Sequence, residues 1–394
     1  MPSHRLDSWI AGAALMASLL GAGLPAVARA DSWHIGWPAS VSVRSGDDCD
    51  LRMRVREDGR TLKVESDGCY EVDEGEREIV KLEPGCFFKA EERRWGRVRR
   101  AIDIRAGRDG ALERHFRVEG KEVPFDTAAQ DWMADVLRAV VQYSGSGLEQ
   151  HIARVLQRDG LDGALREIAR TDSDYSQRRA YLILLRAEGA GPDLAERIAS
   201  EAARNIDSDH EMAELLTEIA RTPAVTPAAL VACADAAHAV DSSYELRRAL
   251  AEIASQKSAD ASVLEAVLRA ALNLDSAHER AELLRAVTDR TGLEPAVAPA
   301  YFEALRGVDS AYEAARALDG LLDHKDLDPG VLERVALAVA DIDSDYHKGQ
   351  VLERLARNFK LEGRARDAYL QAAKDIGSEY HRRQAMEALL DHGL

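Results

Sequence analysis

The chain has few of the residues that staple a fold or signal chemistry. Only 4 Cys, 5 Trp and 6 Phe occur among 394 residues, and aromatics make up 5% of the total. So few Cys exclude a disulfide-dense scaffold, and the core must come from aliphatic burial, for which a hydrophobic content of 46% suffices. Beyond the first thirty residues, no stretch reaches the ~18 consecutive apolar residues of a membrane-spanning helix. Basic residues are outnumbered by acidic ones, 52 to 69, for a net charge of -17. A surface of that sign repels nucleic acid and anionic membranes, both of which need clustered Lys and Arg. Catalytic signatures are missing too. The strings nearest to a zinc-peptidase helix, His210-Glu211-Met212-Ala213-Glu214 and His278-Glu279-Arg280-Ala281-Glu282, end in Glu where a second metal-binding His would stand. There is no nucleophile elbow, phosphate loop or dinucleotide fingerprint. The expectation is a protein without catalytic residues, metal or cofactor, whose partner is a protein and not nucleic acid.

What is present begins with a targeting layout in residues 1–30. Arg5 precedes an apolar run over residues 10–24, and Ala28-Arg29-Ala30 offers a small-x-small cleavage site before Asp31. An exported, periplasmic or secreted protein is expected, with an uncleaved anchor as the alternative because Asp7 offsets Arg5. No Cys follows the cleavage site, which argues against a lipid anchor, and no membrane insertion is expected after cleavage. Residues 31–127 hold 19 basic and 22 acidic side chains, whereas residues 128–394 hold 31 and 46, so the acidity sits in the second region.

The region from 31 to 127 reads as a small antiparallel β domain. Short runs such as Leu51-Arg52-Met53-Arg54-Val55, Cys86-Phe87-Phe88-Lys89-Ala90 and His115-Phe116-Arg117-Val118 alternate with the turn signals Asp58-Gly59, Pro84-Gly85, Asp109-Gly110 and Glu119-Gly120. Six to eight strands fit, in a meander or small sandwich. A three-residue loop at Asp58-Gly59-Arg60 sets Cys49 opposite Cys69, so a Cys49–Cys69 disulfide is expected; Cys233, alone in a helical pattern, reads as a small buried hydrophobe. Lys89, Arg93, Arg94, Arg97, Arg99 and Arg100 surround Trp95. They form either a basic, aromatic contact patch or a solvated hairpin with its turn at Trp95-Gly96.

After Pro124 the texture turns helical. Residues 128–171 read as an N-terminal cap, with helices near 132–142, 148–157 and 161–170. From residue 172 to 394 an internal repeat takes over. Asp172, Asp207, Asp241, Asp275, Asp309, Asp343 and finally Gly377 each precede Ser, at spacings of 35 and then 34 residues. Four of those Ser are followed three residues later by Glu (Glu211, Glu245, Glu279 and Glu313), the pattern of a capping box, so a helix is expected to start at each Ser. Apolar pairs nine and twelve residues beyond the Asp, such as Leu216 and Ile219 or Leu250 and Ile253, make one buried stripe. Pro192, Pro227, Pro295 and Pro329 stand twenty residues beyond the Asp, which suits the first position of a second helix. Each unit is therefore a helix pair, and the last copy holds its first helix only. The fold class expected is α+β: a small antiparallel β domain followed by an all-α solenoid of helix-pair repeats.

Thr171-Asp172-Ser173-Asp174-Tyr175-Ser176-Gln177-Arg178-Arg179 and Ile342-Asp343-Ser344-Asp345-Tyr346 resemble the "I-x-S-D-Y-x-x-R" helical repeats of exported bacterial proteins. Some of those arrays follow a BlaR-type sensor peptidase, which this chain lacks. The resemblance implies a tetratricopeptide- or HEAT-like architecture and no established activity.

The residue three places after each Asp is aromatic or His in every copy: Tyr175, His210, Tyr244, His278, Tyr312, Tyr346 and Tyr380. One turn later stand Arg179, Glu214, Arg248, Glu282, Arg316, Gln350 and Gln384, so Tyr goes with Arg and His with Glu through five copies. Either each pair is satisfied within its own helix, or the column is a ladder of protein-binding anchors. The function expected is a non-catalytic protein-binding scaffold of the cell envelope; the alternative is a sensory module whose β domain binds a small molecule or envelope component.

Overall fold

The structure is a computed structural model that describes residues 40–45, 50–187, 193–223, 225–289 and 292–392. The expected signal segment and Cys49 lie outside the described residues. Among those described, no helix is long and apolar enough to cross a membrane.

Period-two alternation produces an antiparallel sheet of seven strands in the order β1 (Ser40–Ser45), β2 (Leu51–Glu57), β3 (Arg60–Asp67), β6 (Phe87–Arg94), β7 (Arg97–Ala106), β8 (Leu112–Val118) and β9 (Lys121–Val123). A separate ribbon of β4 (Tyr70–Val72) and β5 (Ile79–Leu82) leaves the sheet between β3 and β6. Leu51, Met53 and Val55, Leu62 and Val64, Phe88 and Ala90, and Ile102 and Ile104 point to one face and are buried. That face is covered by α1 (Thr127–Ser144), whose Trp132, Met133, Val136, Leu137 and Val140 join the same core. The Trp132 ring lies 5.6 Å from Phe116. Thus α1, expected to cap the helical array, also buries its apolar stripe on the sheet, because an open sheet with one apolar face needs a layer over it. Its C-terminal end meets the array, where Ser176 Oγ donates to the Gln142 carbonyl, Gln142 donates to Asp172 and Val141 packs on the helical core.

The first hairpin differs from the expectation by one residue. Glu57 pairs with Arg60, so the loop is Asp58-Gly59 alone. Both residues have positive φ, 34° and 76°, which is the turn that matches strand twist. Leu51 consequently faces Ser66, and the register that set Cys49 opposite Cys69 no longer holds. Cys69 is nonetheless engaged in a disulfide, whereas Cys86 and Cys233 are free.

The helical region starts with α2 (Leu148–Ala169), broken at Gly160, where φ is 68° and ψ is -173°. The seven first helices of the repeats are α3 (Asp174–Arg186), α5 (Asp209–Ala220), α7 (Ser243–Ser255), α9 (Ala277–Thr288), α11 (Ala311–Leu321), α13 (Asp345–Asn358) and α15 (Glu379–His392). Between them run the second helices α4 (Leu194–Asn205), α6 (Pro227–Ala236), α8 (Ala261–Ala270), α10 (Ala298–Arg306), α12 (Pro329–Ala340) and α14 (Gly363–Lys374). First helices stack on first helices and second on second, which makes two layers around one continuous core from Leu148 to Leu389. The predicted stripe is buried throughout, and so are Ile206, Val240, Leu274, Val308, Ile342 and Ile376, which close each unit.

Pro227 and Pro329 open their helices at the first position, as expected. Pro192 lies outside the described residues, and Pro295 stands in a turn before α10.

Candidate protein-interaction surface

Each first helix is started by its Ser. The Oγ of Ser173, Ser208, Ser242, Ser276, Ser310 and Ser344 accepts a hydrogen bond from the N–H three residues on. The other half of the expected capping box is not made at Ser208 or Ser242. Their backbone N–H groups donate across the repeat boundary, Ser208 to Asp174 at 2.8 Å and Ser242 to Asp209 at 2.9 Å. Ser378 does the same with Asp345 at 2.8 Å. Asp at the first position of one helix therefore staples the start of the next. The second Asp of the Asp-Ser-Asp string was the signal for this role.

Freed from the box, the Glu side chains also face the preceding repeat. Glu211 accepts from Arg178 at 2.6 Å and Glu279 from Arg247 at 2.5 Å. Glu245 meets His210 at 3.2 Å and Glu313 meets His278 at 3.0 Å. The first four repeat boundaries therefore alternate between an Arg–Glu and a His–Glu link. This corrects the expected pairing of His210 with Glu214 and of His278 with Glu282. Those carboxylates are bound instead by Arg248, at 2.8 Å from Glu214, and Arg316, at 2.7 Å from Glu282. The Tyr-with-Arg, His-with-Glu alternation is thus a device between helices.

The rings of the column edge this mesh, His210 and His278 as members of it, and stay largely open to solvent. Tyr175, Tyr244, Tyr312, Tyr346 and Tyr380 are 45–57% exposed, and the side chains of His210 and His278 are 61% and 56% exposed. Arg179 and Arg178 both stand over the Tyr175 ring, and Arg316 stands 5.6 Å from the Tyr312 centroid. For Tyr244 the cation is Arg247, 5.4 Å from the centroid, and not Arg248, which Glu214 and Glu245 hold. Tyr346 and Tyr380 accept hydrogen bonds from Gln350 and Gln384 at 2.7 and 3.0 Å. His347 and His381, which the sequence reading did not single out, fill the gaps between the last three Tyr, with ring centroids 5.0–6.0 Å apart.

Around Trp95 the structure shows a solvated hairpin. Arg93 pairs with Glu91, Arg99 with Glu119, Arg100 with Glu92 and Lys89 with Asp103, while Trp95 and Gly96 form the tight turn. Glu91 and Glu92, neighbours on β6, point to opposite faces of the sheet. Cys233 is fully buried, and burial pushes its thiol up to about 12.

A second cluster ties the ribbon to the helices. Glu76, in the turn between β4 and β5, accepts from His151 Nδ1 at 2.8 Å and from Arg154 Nε at 3.0 Å, both on α2. Burial alone would raise the Glu76 carboxyl, but His151 and Arg154 outweigh it and hold the group down at about 2. Burial likewise opposes a charged His151, yet the carboxylates of Glu167, 3.7 Å away, and Glu76 raise it to about 9. Beside the cluster, and lined in part by it, lies a cleft of about 410 Å³ whose walls include Tyr70, Val72, Leu137 and Val141 together with Glu71, Gln150 and Arg154. Among the described residues no group of three or more His, Cys, Asp or Glu is placed to hold a metal ion.

No protein-family model, no curated protein and no solved structure matches this chain.

Proposed function

We propose that the chain is a non-catalytic protein-binding scaffold of the bacterial cell envelope, binding through the exposed face of its first helices. The observation that carries this reading is the half-exposed Tyr and His column, one ring per repeat, mounted on helices cross-linked by Arg–Glu, His–Glu and Asp–backbone contacts. Tyr and Arg are the anchors that dominate protein interfaces, and a surface held rigid before binding loses less entropy on association. Export rests on the layout of residues 1–30, and the resemblance to "I-x-S-D-Y-x-x-R" arrays supports architecture alone. The test is cross-linked capture from an envelope fraction with the full chain and its Tyr244→Ala/Tyr312→Ala variant. The reading expects the variant to keep its melting temperature and lose the captured protein. A variant that melts early yet captures the same protein sinks it.

The cleft beside Glu76 favours a second reading, a small-molecule sensor, since its volume is that of ligand sites and its walls combine apolar side chains with a few polar groups. Under that reading, envelope metabolites raise the melting temperature of the wild type but not of a Leu137→Trp variant that fills the cleft.

A further inference from the structure

We propose that the C-terminal end of the column, Tyr312, Tyr346 and Tyr380, seats an extended, proline-rich, basic segment of a partner protein in the polyproline II conformation. This inference rests on the scaffold reading and names the chemistry of its partner. In the first four repeats Tyr and His alternate, but the last three carry Tyr in succession. Their rings join through His347 and His381 into a string of five, each ring edge-on to the next. The Tyr rings are half exposed whereas both His are partly buried, so the string is corrugated, with Tyr ridges and a His floor. Gly349 makes the floor possible. It stands where earlier repeats carry Arg178 or Arg247, and a Cβ there would come within 3.1 Å of His381.

The ridges recur once per repeat, which for packed helices means about 8–10 Å. A polyproline II segment advances about 9 Å per three-residue turn, so every third residue meets the next Tyr in register. Proline on aromatic ridges is a known recognition mode, because the ligand is already extended and has little entropy to lose. Its backbone carbonyls are unpaired, and Gln350 and Gln384, held by the Tyr hydroxyls, supply amide donors beside the ridges. Charge fixes the remaining residue type. Asp309 and Asp343, three residues before their rings, are exposed and form no salt bridge among the described residues, although Asp309 lies near enough to Arg280 to favour its charge. They extend a row begun by Asp207, Asp241 and Asp275, and residues 128–394 carry 46 acidic against 31 basic side chains. Lys or Arg at one position of each triplet answers that row, while an acidic proline-rich segment is repelled.

The probe is a fluorescent peptide of about fifteen residues built from Pro-Pro-Lys triplets, titrated against the full chain by anisotropy. A Gly-Ser-Lys peptide of the same charge is the control. The inference expects the proline peptide to bind roughly tenfold more tightly than the control, and to lose roughly tenfold in affinity with Tyr346→Ala/Tyr380→Ala. Asp309→Asn/Asp343→Asn weakens binding and flattens its salt dependence, and Tyr175→Ala changes nothing. Equal binding of the two peptides overturns the inference, as does full affinity in the Tyr346/Tyr380 variant. Should that variant lose helical signal, Tyr380→Ala alone, on α15, decides between the same outcomes. If the peptide fails while Tyr244→Ala/Tyr312→Ala still abolishes protein capture, this inference falls and the scaffold reading stands. If capture ignores the Tyr variants as well, both fall.

Discussion

Arg248 lies 2.8 Å from Glu214 of the preceding repeat, and Arg316 lies 2.7 Å from Glu282 in the same way. Through the first five repeats the structural period along this face is therefore two repeats. Both members of each pair are about one-third exposed, which places them between surface pairs of negligible effect and buried ones. We expect a double-mutant cycle on Arg248→Gln and Glu214→Gln, read by urea unfolding, to give a coupling of about 0.5–1 kcal/mol. The same cycle on Arg248 and Glu282, which share no ion pair, should give none. Equal couplings would mean that the alternation has no mechanical role.

A second link is buried. The Arg280 guanidinium donates to the carbonyls of Leu272, Leu274 and Gly307, which are the ends of one second helix and of the next. It is a clamp across a repeat boundary, and it requires Gly307, because a Cβ there would fall on the guanidinium. Gly307→Ala should therefore cost about 1–3 kcal/mol, although its φ of -84° suits Ala. In an Arg280→Met background the same change should cost little. Additive costs in the double variant would show that the clash is not with Arg280.

The pH response follows from the tie between the ribbon and α2. Glu76 is depressed to about 2, so its contribution is present above the ordinary carboxylate range and is lost as pH falls toward that value. His151 is raised to about 9, so its contribution is complete below the ordinary His value of about 6.5 and is lost as pH rises through 9. The tie is strongest between these limits, from about pH 5 to 6.5. Melting temperature should decline from pH 6.5 to 9 in the wild type, with a shallower decline in His151→Gln. An identical alkaline slope in the variant would place the loss elsewhere.

Much of this was legible along the chain. The repeat length, the Ser caps and the buried stripe are set by local spacing, because each obeys the geometry of one helix. Partners were not. The sequence suggests His210 with Glu214, since they sit one turn apart, but it cannot show that Arg248 of the next helix claims Glu214 and leaves His210 to Glu245. Nor can it choose Arg247 over Arg248 as the cation on Tyr244. The Glu76–His151 tie joins a strand turn to a helix far along the chain, and no spacing rule connects them. The first hairpin failed for a smaller reason: Asp58 tolerates positive φ, so two residues close a turn for which three were expected.

The last prediction uses that two-repeat period. In a linear array, removing whole units should leave a folded protein, and we expect this of both a one-unit deletion (residues 241–274) and a two-unit deletion (residues 241–308). The two differ in what meets at the new boundary. After the two-unit deletion, the repeat of Asp207 adjoins that of Asp309, so His210 can meet Glu313 and Glu214 can meet Arg316, as at the native boundary. After the one-unit deletion it adjoins the repeat of Asp275, and Glu214 faces Glu282, like charge against like. Added salt shortens the Debye length from about 8 Å at physiological ionic strength to about 3 Å at 1 M and so weakens that repulsion, which should raise the melting temperature of the one-unit deletion more than that of the two-unit deletion. The net acidity common to both chains makes some salt stabilisation general, and only the difference reports the boundary. Equal salt responses in two folded deletions would reduce the alternation to a surface pattern; a one-unit deletion that unfolds as completely as removal of half a unit would refute the linear array itself.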